Sequence, residues 1–338
     1  MSIQLSSLRT QALPDLVQEA QENGIDNAGN LQASELVFEL VRLHSARTDT
    51  IIGDGFLEVL PDGFGFLRSS ISHFAPGVDD IYVSPSQIRR FNLRSGDWVE
   101  GKIRVPREGE RYLALLQIHS VNGIKPDKAR NRLRFSSLQT ATEVKPVSWT
   151  DTAFAKAQAQ ATNFGFGDKV LIHCPQGGAQ FSFIQDWIQA IDAIPIVALI
   201  GGSPLELAQY QKSYTGELFF SYAGAAAERH VQAAEFALLR AKRIAEQHNN
   251  VIVLFATVDR MLRAYRDSAE INGLNGASAL ASGHVRRILG HAQALQQGGS
   301  ISTLGMISDL AHPIDMRLKA DIEAECFVDV RFNRKDDH

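Results

Sequence analysis

The hydrophobic period of this chain changes twice, and those two changes constrain its fold more than any other feature. Over residues 2–48, Leu8, Leu13, Leu16 and Val17, then Leu36, Leu40 and Leu43 beyond Asn23-Gly24, recur at helical spacing. From Ile51 the apolar residues fall into short runs, GFLEVL, GFGFLR, DIYVS, DWVEGKIRV and RYLALLQIHSV, separated by Pro, Gly, Asp and Ser. Runs of that kind predict a β-barrel of about seventy residues. Beyond Thr150 the pattern alternates: strands at 170–174, 194–200 and 251–255, a helix after Phe181 and an amphipathic helix over 229–247. Strands alternating with helices predict a parallel α/β sheet covered on both faces. The predicted domains are a helical unit at 1–49, the barrel at 50–122, a connector at 123–150 and the α/β domain at 151–338.

Composition narrows the function classes. A chain of 338 residues with 44% hydrophobic and 21% charged side chains can bury two or three cores, which excludes a disordered protein. A net charge of −4 provides no overall attraction to nucleic acid, so any such binding must rest on a local stripe. Cys174 and Cys326 are too few for a disulfide framework and lack the CxxC spacing of a zinc site, and suit reduced thiols in a cytoplasmic protein. The ten histidines include no HExxH, and His284 and His291 stand two helical turns apart, so no metal is expected. The N-terminus lacks a signal-like h-region, and no apolar run reaches about 18 residues, so neither export nor membrane insertion is expected.

The most informative stretch is Pro61-Asp62-Gly63-Phe64-Gly65-Phe66-Leu67-Arg68. Two aromatics two apart on a strand project from one face, and the flanking glycines leave the rings uncovered. Rings followed by an arginine are what base stacking and phosphate contact need. Alternating Phe64 and Phe66 could equally line a barrel core, and spacing does not decide between the two. Tyr82 and Tyr112 could extend a platform from neighbouring strands. Between positions 89 and 111, seven cations face four carboxylates, a net of +3 that suits a phosphate track.

PDGFGFLR, DDIYVSPSQIRRFNLRSGDWVEGKIR and PREGERYLALL closely resemble the RNA-binding domain of the Rho termination factors. GIDNAGNLQASELVFELV is similar to that family's small N-terminal helical domain, and AERHVQAAEFALLRAKRIAEQHNNVIVL with DRMLRAYR to its hexameric, RecA-like ATPase domain. The resemblance implies an OB-fold or cold-shock-like barrel in which Phe64 and Phe66 stack bases and Arg68, Arg107 and Arg111 approach phosphates. It further implies that Asp80, Tyr82, Glu110 and Tyr112 complete a pyrimidine pocket and that Leu60 also binds RNA, with cytosine-rich single-stranded RNA as the ligand; within such a pocket Asp80 or Glu110 could accept from the exocyclic amine of cytosine, or either could be an ordinary surface acid.

The same resemblance exposes departures. A P-loop needs G-x-x-x-x-G-K-[ST]. In its place stand Gln176, Gly177, Gly178, Ala179 and Gln180, with Ala179 at the lysine position and Gln180 at the threonine position. Gly202 occupies the catalytic glutamate position and Ala256 that of the magnesium-organising aspartate. The arginine-finger position falls on Phe332, with Arg331 and Arg334 beside it, and Pro313 stands where a translocating loop carries lysine. The expectation is an RNA-binding pseudo-ATPase with no catalytic residue and no required cofactor, nucleotide binding without turnover remaining open. Such a protein would modulate termination through RNA or through association with a true Rho or RNA polymerase, as a homo- or hetero-oligomer. The alternative is a divergent RNA-dependent ATPase and helicase of the same family.

Overall fold

The computed structural model describes residues 2–47, 50–74, 76–143, 145, 165–174, 188, 192–308, 320 and 328–331. It divides into two compact units, residues 1–132 and 133–338.

In the first unit, β1 (Ser2–Gln4) leads into three helices, α1 (Leu5–Arg9), α2 (Leu13–Glu22) and α3 (Ala33–Ala46). Pro14 sits in the first turn of α2, where its missing N–H costs nothing. The start of α3 is fixed by Glu35, whose Oε2 accepts from the Gln32 N–H at 2.8 Å. Five strands follow, β2 (Thr50–Val59), β3 (Gly65–Arg68), β4 (Ile81–Val83), β5 (Trp98–Arg104) and β6 (Leu113–Val121). They pair in the order β2-β3-β4-β6-β5, and β5 returns to β2, which closes the barrel; β1 adds to β2 in parallel.

Closure depends on a glycine. A Cβ on Gly101 would lie 2.1 Å from the Gln117 carbonyl oxygen, at the irregularity where β5 and β6 shift register. Between β4 and β5, Ser84 caps α4 (Pro85–Phe91) in a reciprocal box with Gln87.

Alternation along the strands sorts side chains by face. Leu57, Leu67, Ile81, Val83, Val99, Ile103 and Leu113 point inward and share one core with Leu5, Leu16, Leu36 and Leu40 of the helices. The N-terminal helices therefore pack on the barrel through a common apolar interior, where each fully buried Leu is worth about 1.5–3 kcal/mol. Residues 123–132, read from sequence as the start of a connector, form α5 (Pro126–Arg130) and end on a buried ion pair. Arg132 donates to both oxygens of Asp97 at 2.6 and 2.9 Å, and Asp97 also takes the Asn122 side-chain amide.

The second unit is a parallel sheet in the order β13-β7-β12-β10-β8-β9. Its strands are β7 (Lys169–Cys174), β8 (Ile194–Gly202), β9 (Glu217–Tyr222), β10 (Asn250–Phe255), β12 (Ser300–Ser308) and β13 (Val328–Arg331); a short β11 (Gln293–Ala294) pairs antiparallel with β12. Helices α6 (Pro204–Ser213), α7 (Ala227–Ala245), α8 (Val258–Ile271) and α9 (Ala277–Leu289) connect them. The run 251–255 is buried throughout, as a central parallel strand must be. The expected helix after Phe181 falls outside the described residues. No described helix is long and apolar enough to cross a membrane.

Candidate functional site

Phe64 and Phe66 do not line the barrel core. Leu67 does, and the two-residue period puts Phe66 on the opposite, outward face, where it lies across from Glu58 on β2 and Tyr82 on β4. Four rings gather there. Phe64 and Phe66 have centroids 5.8 Å apart, Phe64 and Tyr82 5.7 Å, Phe66 and Tyr82 6.1 Å, and Phe66 and Tyr112 4.7 Å. Most of these contacts are edge-to-face, the arrangement that ring quadrupoles favour. The turn that presents Phe64 is closed by Leu60, whose N–H donates to the Phe64 carbonyl at 2.8 Å.

One expectation about this face needs correction. The glycines do not leave Phe66 uncovered: the residue is 8% exposed, with Phe64, Tyr82, Tyr112 and the Arg68 guanidinium packed around its ring. Tyr112, 39% exposed, and the half-buried Phe64 and Tyr82 offer the accessible surface, and Phe66 is the base on which they rest.

Arg68, expected to approach a phosphate, is buried instead. Its Nε donates to Glu58 at 2.8 Å, its Nη1 to Asp80, and its guanidinium carbon lies 5.0 Å from the Phe66 ring centre. Asp80 is likewise buried and also accepts from the Gly77 N–H at 2.7 Å. Burial pushes the Asp80 carboxyl above its usual range, against the pull of the Gly77 amide and Arg68. Any base reaching Asp80 therefore shares it with Arg68. Glu58 escaped the sequence reading; its signal was the hairpin register, which sets it opposite Phe66.

Arg107, Glu110 and Arg111 stand exposed on the loop between β5 and β6. Glu110 is occupied there: it accepts from Arg104 Nη2 at 2.9 Å and from the Arg107 N–H at 3.0 Å, and the hydrogen bond from Arg104 above all holds its carboxyl down to about 2. Arg104 is thus spent on Glu110, and Arg107 and Arg111 remain the exposed cations of the loop beside Tyr112.

In the second unit, positions 176–180 lie outside the described residues, as do Phe332, Arg334 and Pro313. Gly202 and Ala256 are described. Gly202 ends β8, and a Cβ there would stand 2.5 Å from Phe220 Cε2 and 3.1 Å from Leu199. Ala256 follows β10, 2% exposed, with its N–H on the Ala198 carbonyl. Neither position carries a group able to hold magnesium or orient water. Beside Gly202 opens a cleft of about 400 Å³ lined by Gly201, Ser203, Glu206, His230, Arg260 and Arg263 among others.

Its polar groups are engaged with one another. Arg260 donates to the Gly201 carbonyl at 2.9 Å and to Glu206 at 3.0 Å. Burial raises the Glu206 carboxyl, but the hydrogen bonds from Arg260 and Ser203 outweigh it and the net shift is downward. Ser221 Oγ accepts from the Gly201 N–H and shares a 2.8 Å hydrogen bond with His230 Nδ1. Burial lowers the His230 pKa, partly offset by Asp267. Among the described residues no cluster of His, Cys, Asp or Glu is arranged to hold a metal ion.

Known proteins give matching results. Residues 53–127 match the family model described as Rho termination factor, RNA-binding domain. Transcription termination factor Rho of Escherichia coli (strain K12) is 34% identical over 346 residues, covering 98% of this chain and 83% of that protein. The Rho of Buchnera aphidicola subsp. Schizaphis graminum is 36% identical over 314 residues, covering 89% and 75%. Among solved structures, an ATPase from the type III secretion system of pathogenic bacteria superposes with a TM-score of 0.52 at 17% identity, over 57% of this chain and 58% of that one. That last likeness is one of fold.

Proposed function

Since the chain belongs to the transcription termination factor Rho family, we propose that it is a Rho-like protein that captures single-stranded, cytosine-rich RNA on the barrel face of Phe64, Phe66, Tyr82 and Tyr112 and does not hydrolyse ATP. The observation that carries the first clause is the four-ring cluster on the outward face of the barrel, with the exposed cations Arg107 and Arg111 beside it. Rings so placed accept any base, and cations along the edge follow the backbone.

The second clause is supported by four substituted positions, Ala179, Gln180, Gly202 and Ala256. Groups of a phosphoryl-transfer site act together, and their losses compound. No nucleotide cofactor is then needed. The protein would modulate termination by masking RNA or by joining an active Rho in a mixed assembly. Filter binding with oligocytidine tests the first clause, and failure to bind would overturn it. Phosphate release with RNA, ATP and magnesium tests the second.

A divergent ATPase is the rival reading. It is favoured by the cleft beside Gly202, where Arg260 and His230 still face the end of β8. Robust RNA-stimulated phosphate release would establish it.

A further inference from the structure

We propose that Glu58 is a positioning residue that sets the preference of the aromatic face for cytosine over uracil by fixing the Arg68 guanidinium between itself and Asp80; this rests on the RNA-binding reading above. Register places Glu58 directly across from Phe66, so its carboxylate shares the outward face with the rings. A guanidinium is a rigid planar fork of five N–H donors. Here Nε is held by Glu58 at 2.8 Å and Nη1 by Asp80, with the plane's carbon 5.0 Å from the Phe66 ring centre. Two anchors on different edges remove rotation about the Arg68 side chain. The Nη2 edge carries no partner among the described residues, and it is what the fork still has to offer.

The result is a fixed donor next to a fixed carboxylate at the margin of the stacking surface. Cytosine presents an exocyclic amine beside ring acceptors and so complements a carboxylate beside an N–H. Uracil presents a carbonyl where cytosine has its amine, which would face the Asp80 carboxylate. Stacking on Phe64, Tyr82 and Tyr112 does not tell the two bases apart, because each has a π-face. Discrimination therefore falls to the Arg68–Asp80 edge, and its sharpness depends on Glu58, the only group among the described residues that holds Nε. Without Glu58, Arg68 keeps its charge and its bond to Asp80 but can pivot about that bond.

The test measures affinities of the full-length protein for oligocytidine and oligouridine of equal length, with thermal unfolding in parallel. The wild type should favour oligocytidine by roughly tenfold or more, the range a good paired contact to a base edge gives. Glu58→Ala should bring that ratio to within about threefold, with oligouridine affinity retained. Glu58→Gln, which keeps an oxygen to accept from Nε, should restore most of it. A merely structural role would lower both affinities together, in step with melting temperature, and leave the ratio unchanged, which would overturn the proposal. Absence of oligocytidine binding by the wild type would overturn the RNA reading itself and this inference with it; wild-type preference with an unchanged ratio in both variants would overturn the role of Glu58 alone.

Discussion

If the protein is the pseudo-ATPase proposed above, placing a glutamate at position 202 should not confer ATP hydrolysis, for a reason visible in the packing. Gly202 is buried at the end of β8, and the ideal Cβ lies 2.5 Å from Phe220 Cε2 and 3.1 Å from two atoms of Leu199. Phe220 is 1% exposed and belongs to the core of the second unit, so its ring has nowhere to retreat. Forcing a side chain into such a site costs about 1–3 kcal/mol, and bringing a carboxylate with it adds at least about 1 kcal/mol. A loss of at least about 2 kcal/mol lowers the melting temperature of a unit of this size by roughly 4–8 °C. Gly202→Ala, which tests size alone, should fall in the same direction by less. The assays are thermal unfolding and phosphate release with RNA and magnesium. A Gly202→Glu protein that melts with the wild type and gains turnover would refute both the steric argument and the view that the site is missing several groups at once.

Phe64→Ala and Tyr112→Ala should each weaken oligocytidine binding by about 1–3 kcal/mol, roughly fivefold to 150-fold in filter binding, because each removes an accessible stacking face. Arg132→Ala should destabilise the first unit by about 3–5 kcal/mol in denaturant unfolding, since it leaves the fully buried Asp97 without its bidentate partner. Ala256→Asp should lower stability without conferring hydrolysis, as it puts a carboxylate at a site 2% exposed. The Glu110 carboxyl, held at about 2 against an ordinary 4.5, favours the folded loop above about pH 4.5, and that contribution disappears as pH falls toward 2. Titration followed by NMR at Glu110 should show the depressed midpoint, and Arg104→Ala should return it toward the ordinary value.

The barrel was legible because each strand combined period-two alternation with its own turn residues, and every one of the five runs became a strand. The α/β unit was legible only in its most apolar strands. Glu217–Tyr222 and Ser300–Ser308 escaped notice; the second mixes Ser, Thr and Gly into a buried strand, where Ser302 and Thr303 find partners at the Gly167 N–H and the Leu289 carbonyl. At the site, the rings could be read from spacing, but not the fate of the charges. Arg68 meets Asp80 twelve residues later, and Arg132 meets Asp97 thirty-five residues earlier. Pairings at that distance depend on strand register and on where the chain returns, which no local pattern encodes.

The two candidate sites differ in how they tolerate loss. The stacking face is built within one closed barrel over a core it shares with the N-terminal helices, and each ring touches at least one other, so removing one leaves a weaker platform. A nucleotide site instead needs groups from the ends of several strands to converge on one phosphate, and they act as a unit. On the proposed reading no catalytic carboxylate stands at the end of β8, so no catalytic requirement keeps that space open: Phe220 packs against Gly202, and Arg260 donates to Glu206 and to the Gly201 carbonyl. The packed Phe220 ring above all makes a side chain at position 202 costly. No single substitution should then recover turnover, because a restored side chain must displace a packed ring or a satisfied arginine before it can contribute to chemistry.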